Sequence, residues 1–228
     1  MNKFLSILFL SLGTFVISCS DEDHRVVYSC NPTEDEWVHD NLDEIRCMTR
    51  AQWNNLDENL KMPVFVAFSS EQRYQLWIGK LNDAIALDWS ESEKAHIQEI
   101  IDFINENPDC FEEGGLNEDM EDKLELFDYQ WTTFAKEEFG WDSKVIYGII
   151  YTPNSLLDKE GNIAKSTTVS ARIIRSEGTS NGATSENCNC RVGRNCEGTF
   201  ECKESTTCDE VNRCGFLTMQ RCNGRCGI

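Results

Sequence analysis

Residues 69–104 read SSEQRYQLWIGKLNDAIALDWSESEKAHIQEIIDFI, and this stretch decides the fold. Ser69-x-x-Gln72 has the spacing of a capping box, in which each side chain satisfies the other residue's backbone N–H. Behind it, Tyr74, Leu76, Trp77, Ile78, Leu81, Ile85 and Leu87 recur near the helical period. Ser90-x-x-Glu93 repeats the start signal before Ile97, Ile100, Ile101, Phe103 and Ile104, and Pro108 stops the run. Two successive helices with apolar stripes need other helices to cover them, so an all-α body is expected.

The pattern extends in both directions. Upstream, Trp37, Val38, Leu42, Ile45 and Met48 form one helical run, and Thr49-x-x-Gln52 opens a short helix with Trp53 and Leu56. Pro63 to Phe68 reads as an apolar link between helices. Downstream, Gly114-Gly115 marks a turn, and Asn117 caps a helix carrying Met120, Leu124, Phe127, Trp131, Phe134 and Phe139. Val145 to Tyr151 is β-branched and aromatic, and periodicity leaves strand and buried helix both open. All six tryptophans lie in this body, on the apolar stripes, and are expected in the core. A turn is expected at Glu160-Gly161-Asn162, between Leu156-Leu157 and Ile163.

The N-terminus has a different logic. Lys3 precedes an apolar run from Phe4 to Ile17, shorter than the roughly 20 residues that span a bilayer. The run ends in Val16-Ile17-Ser18-Cys19, which resembles a bacterial lipobox. Its chemistry needs a thiol to carry diacylglycerol and a small neighbour at the cleaved bond. Cleavage between Ser18 and Cys19 and lipid on Cys19 are therefore expected, with the membrane as a partner through that lipid. Ser20-Asp21-Glu22-Asp23 resembles the acidic signal that sends lipoproteins to the outer face of the outer membrane. An exported, outer-membrane, surface-exposed lipoprotein follows as the expectation.

Charge divides the chain. Residues 19–185 carry 14 basic and 34 acidic side chains, whereas residues 186–228 carry six of each. The net charge of −19 disfavours nucleic acid, whose phosphates would be repelled. Residues 176–187, SEGTSNGATSEN, lack any large apolar side chain and read as a flexible linker spanning roughly 20 Å. Beyond it stand Cys188, Cys190, Cys196, Cys202, Cys208, Cys214, Cys222 and Cys226. So short a segment cannot bury enough surface to hold itself together, and disulfides replace the missing core. The rival, zinc, requires thiolates at spacings such as C-x2-C, and none occurs here. The expected divisions are 1–18 signal peptide, 19–29 acidic linker, 30–151 helical domain, 152–187 turn and linker, and 188–228 a small, loop-dominated disulfide module.

In the body, Cys30 and Cys47 are expected to pair, leaving Cys110 single within the body, either buried or paired with the tail, and a candidate unpaired thiol. His24, His39 and His96 have no other His or Cys at metal-ligand spacing, so no metal is expected. HExxH, GxSxG and phosphate-loop patterns are missing from the sequence. Neighbouring carboxylates such as Glu112 with Glu113, or Asp119 with Glu121, read as a solvated helix face. No enzyme activity, cofactor or small-molecule substrate is expected. The expected partner is an envelope or protein target.

A family resemblance can be set beside these readings. Val26-Val27-Tyr28-Ser29-Cys30-Asn31-Pro32, Trp37-Val38, Ile45-Arg46-Cys47-Met48-Thr49-Arg50, Trp53 and Pro63-Val64-Phe65 carry it in the body. Cys188-Asn189-Cys190 and Arg221-Cys222-Asn223-Gly224-Arg225-Cys226 carry it in the tail. In these stretches the chain resembles the bacteriocin fulvocin C-related proteins. The resemblance implies a bacteriocin-like precursor or carrier with a stapled C-terminal effector. Arg191, Arg194, Arg213, Arg221 and Arg225 would then meet a target envelope. A non-toxic surface interaction, structural or immunity-type lipoprotein, with the tail as a recognition knob, is the alternative.

Overall fold

A computed structural model describes residues 25–113, 115–166, 187–188, 201–204, 213–222 and 224–227. Its body is all-α: α1 Pro32–Asp40, α2 Leu42–Arg46, α3 Arg50–Asn54, α4 Glu58–Ala67, α5 Ser70–Ile85, α6 Glu91–Glu106, α7 Glu118–Phe139 and α8 Ser143–Ile146. The expected start signals form. Thr49, Ser69 and Ser90 each accept the backbone N–H three residues on, and Gln52, Gln72 and Glu93 reach back to complete three capping boxes. Asn117 accepts from the Met120 N–H at the start of α7. Each such cap contributes about 1 kcal/mol. Among the described residues, no helix is long and apolar enough to cross a membrane.

One core runs through the body. Val38, Ile45, Trp53, Val64, Phe65, Trp77, Leu81, Ile97, Ile100, Ile104 and Leu124 are wholly buried in it. Five tryptophans are buried there, and Trp37 packs against it half-buried.

Two local expectations need correction, and one that periodicity left open is decided. The run from Trp37 to Met48 is two helices, broken at Asn41, whose side-chain amide and N–H both bond the Trp37 carbonyl. Pro63 to Phe68 is mostly not a link, since Pro63 lies inside α4 and only Phe68 lies beyond its end. Proline there forfeits one helical hydrogen bond. Burial of Leu60, Val64 and Phe65 on one face of α4 outweighs that loss. The ambiguous segment after Val145 is helical: α8 runs into a wider π turn, Tyr147–Tyr151.

Lys80 explains where that turn ends. Its ammonium, wholly buried on α5, donates to the carbonyls of Ile149 (2.5 Å) and Thr152 (2.6 Å). It thereby satisfies acceptors that the end of a helix leaves open. The expected turn at 160–162 forms, with Leu156 and Ile163 bridged antiparallel and Gly161 at φ +78°. A Cβ on Gly161 would lie 2.7 Å from the Lys144 carbonyl, so the turn seats directly on α8.

Among its described residues, the C-terminal segment forms short strands and one 3-10 turn, Phe216–Thr218. β1 Asn187–Cys188 and β2 Glu201–Glu204 both pair antiparallel with β5 Gly224–Gly227, placing Cys202 opposite Cys226 in register. β3 Arg213–Cys214 pairs with β4 Gln220–Arg221, and a Cys214–Cys222 disulfide closes this hairpin. The tail is not wholly separate from the body. Phe216, Leu217 and Met219 belong to the same buried core as the helices. A segment too small for its own core has placed these three large apolar side chains in a neighbour's. Most of the expected linker, 176–186, lies outside the described residues.

Candidate functional site: a clasp and the cavity beneath it

Residues 213–222 form a clasp on the helical body. Phe216 is wholly buried between α6 and α7, its ring 5.9 Å from Phe103 and 5.3 Å from Phe127. Leu217 and Thr218 follow in the left-handed region, at φ 54° and 53°. Each such residue costs on the order of 1 kcal/mol, so surrounding contacts must impose the shape. Gly215, at φ +68°, allows Gln220 to fold back, where a Cβ would collide with the Gln220 side chain. Gln220 then accepts from the Phe216 N–H at 3.1 Å. The disulfide closes a short loop around these residues, worth about 2.5 kcal/mol by chain entropy.

Beneath the clasp lies a cavity of about 460 Å³. Trp53 and Lys61 come to it from α3 and α4, Tyr147 and Tyr151 from the π turn, and Cys214 and Thr218 from the clasp. At one end sits a polar cluster. Lys61, only 4% exposed, donates to Asn154 Oδ1 at 2.8 Å and pairs with Glu58 Oε2 at 3.0 Å. Asn154 Nδ2 donates to Glu58 Oε1 at 2.9 Å, and the Ser166 N–H donates to Oε2 at 3.2 Å. Burial raises the pKa of Glu58. The hydrogen bonds from Asn154, Lys61 and Ser166, with the Lys61 charge, outweigh it and hold this carboxyl below the usual range.

Behind the wall, Tyr151 donates its hydroxyl proton to Asp128 Oδ1 at 2.7 Å. Asp128 is wholly buried, and its other carboxylate oxygen has no hydrogen-bond partner. Burial, opposed by the Tyr151 bond and the Lys136 charge, pushes Asp128 up to about 7. Burial and the adjacent Asp128 raise the Tyr151 phenol well above its ordinary value. Lys80 is pushed well below its ordinary value by burial and then by Arg50. Arg73 is drawn down to about 10 by burial and then by Arg213. It is spent on the carbonyls of Phe65, Val66 and Phe111.

The cysteines take varied places. Cys30 is disulfide-bonded, but not to Cys47, whose thiol is free and exposed. The expected Cys30–Cys47 pair is therefore corrected: Cys47 closes α2 with its side chain turned to solvent. Cys110 is single, as expected, and wholly buried. Burial and the charge of Asp109 push its thiol up to about 12. Cys188, Cys202 and Cys226 lie on strands described in backbone only. Ser18, Cys19, His24, Cys190, Cys196 and Cys208 lie outside the described residues.

His39 and His96 are both committed to local contacts. His39 Nε2 meets the Val26 carbonyl at 2.9 Å. His96 stacks on Trp131 at 4.5 Å, with Nδ1 on Glu99 and Nε2 on the Trp131 carbonyl. Among the described residues, no three His, Cys, Asp or Glu side chains are grouped to hold a metal. Glu112, Glu113 and Asp119 are exposed, and Glu121 is half-buried.

Sequence reading passed over Lys61, Lys80 and Asp128. A signal existed: each occupies an apolar stripe, Lys61 ahead of Val64 and Phe65, Lys80 after Leu76 and Trp77, Asp128 between Leu124 and Trp131. A charge on a buried stripe must find partners or lose its charge. No family model, curated protein or solved structure matches this chain.

Proposed function

We propose that this chain is an exported lipoprotein, held by lipid on Cys19, that works as a surface interaction protein with its C-terminal segment permanently attached. The anchor rests on the short apolar leader ending in Ser18-Cys19 and the acidic residues after it. The observation that carries the reading of the tail is the burial of Phe216, Leu217 and Met219 in the helical core. Exposing three such side chains costs roughly 5–8 kcal/mol, comparable to the whole stability of an ordinary domain. A tail that leaves the body would also expose the apolar surfaces of α6 and α7 beneath Phe216. The partner is an envelope or protein target.

Intact mass spectrometry of native protein and culture medium tests this. The expected result is one full-length species carrying lipid on Cys19, with no C-terminal fragment in the medium. A released fragment beginning near Cys188 overturns it. The resemblance to the bacteriocin fulvocin C-related proteins favours a second reading, a carrier for a stapled effector. Growth inhibition of related strains by oxidised residues 186–228 would favour that reading, and lack of inhibition would count against it.

A further inference from the structure

We propose that the solvent-facing side of α7 is a docking surface for a basic amphipathic helix of another protein. The inner side of α7, with Leu124, Asp128, Trp131, Thr132 and Ala135, is buried in the core. The outer side of such a helix is ordinarily charged or polar throughout. Here Leu126, Tyr129 and Phe134 are 58%, 67% and 48% exposed, three of the six exposed large apolar side chains among the described residues. They occupy about 12 Å of helix, with exposed Gln130 and half-buried Thr133 between them. Phe134 is held in place by the rings of His96 at 4.9 Å and Phe139 at 5.6 Å.

The surrounding charge selects the partner. α7 carries eight carboxyl groups and two lysines. Asp119 and Asp122 precede the apolar patch on the exposed side, and Glu137 follows it. Among the described residues, no carboxylate of α7 makes an ion pair. The negative charge at both ends of the patch is therefore left for a partner to compensate. A second copy of this chain, with its net charge of −19, would be repelled, as would a nucleic acid or an anionic lipid surface. A partner whose cations flank its apolar side chains gains from the patch and from the charge together.

The geometry selects a helix. The mid-helix N–H and C=O groups of α7 are spent inside the helix, so an extended segment would find no ladder to join. A helical partner satisfies its own backbone and presents side chains at i, i+3 and i+4, the spacings of the ridge that Leu126, Tyr129, Gln130 and Thr133 form on α7. The inference rests on the reading of an interaction protein and names the chemistry of its partner. It needs neither lipid on Cys19 nor retention of the tail, so it fails separately from the mass-spectrometric test of those two.

The test uses the oxidised chain from residue 19 onward carrying Cys19→Ser, in detergent-free buffer. The probe is a peptide of leucine and lysine about five helical turns long, patterned so that its leucines share one face. A scrambled peptide of the same composition and a leucine–glutamate counterpart serve as controls, and calorimetry and backbone amide NMR follow binding. The expected result is saturable one-to-one binding of the patterned cationic peptide, about tenfold or more tighter than the scrambled one and weaker at high salt. Amide shifts should centre on the outer side of α7 between Asp122 and Glu137. Leu126→Ala with Tyr129→Ala should weaken binding about tenfold or more. Asp119→Asn, Asp122→Asn and Glu137→Gln together should flatten the salt dependence, whereas Asp40→Asn, Asp43→Asn and Glu44→Gln on α1 and α2 should leave it in place. All these side chains are exposed, and helical circular dichroism checks that each variant folds. No saturable binding, equal affinity for patterned and scrambled peptides, equal effects of the two charge sets, shifts centred elsewhere, or pairing of two chains through α7 in sedimentation overturns the proposal.

Discussion

At the scale of single residues, the buried charges govern behaviour. Asp128 has a folded-state pKa of about 7 against an ordinary value of 3.8, first because burial penalises its charge. Between those values the native state holds a proton that the unfolded state has lost. Its contribution to stability is therefore fully present below pH 3.8 and is lost as pH rises through about 7. The loss amounts to about 4 kcal/mol. Asp128→Asn keeps an acceptor for the Tyr151 hydroxyl and removes the charge. We expect it to raise the melting temperature at pH 8 and to flatten the fall in stability between pH 4 and 7, as followed by circular dichroism. An unchanged pH profile would mean that Asp128 does not titrate across this range. The two free thiols give a second expectation. Iodoacetamide on native protein should modify exposed Cys47, and should reach Cys110 only after denaturation, because burial holds that thiol protonated. Peptide mass mapping distinguishes the two.

At the scale of elements, local signals set where helices start, and burial settles the exceptions. The capping boxes at Thr49, Ser69 and Ser90 form because both halves of each lie within four residues. α4 forms despite Pro63, and the π turn ends where Lys80 reaches it from α5, some seventy residues earlier in the chain. Neither outcome has a local cause. The clasp is the sharpest element-scale case, since its strained Leu217 and Thr218 are held by side chains from other elements. Phe216→Ala should lower the stability of the whole chain by about 3–5 kcal/mol, measured by urea unfolding of the helical signal. If the tail were an independent module, helical unfolding would not move. Phe216 sits against the rings of Phe103 and Phe127, so the cavity left behind opens inside the body core itself.

At the scale of the whole molecule, helices and clasp share one core, and one cooperative transition is expected. Helical circular dichroism and the exposure of residues 213–222 to protease should change at the same denaturant concentration. Separate midpoints would show that clasp and body unfold independently. The sequence by itself determined the all-α body, the three boxed helix starts, the Asn117 cap, the turn at Gly161 and the presence of a disulfide in the C-terminal segment. These rest on spacing within a turn or two, or on a composition that cannot form a core. Only the tertiary structure decided the fate of Cys47, the burial of Lys61, Lys80 and Asp128, and the docking of Phe216, Leu217 and Met219. The buried charges and the docked side chains depend on partners tens to more than a hundred residues away, and no local pattern states which surface a buried charge or an unpartnered aromatic ring will find. The cavity belongs to this second kind, because its walls come from α3, α4, the π turn and the clasp, which only folding brings together.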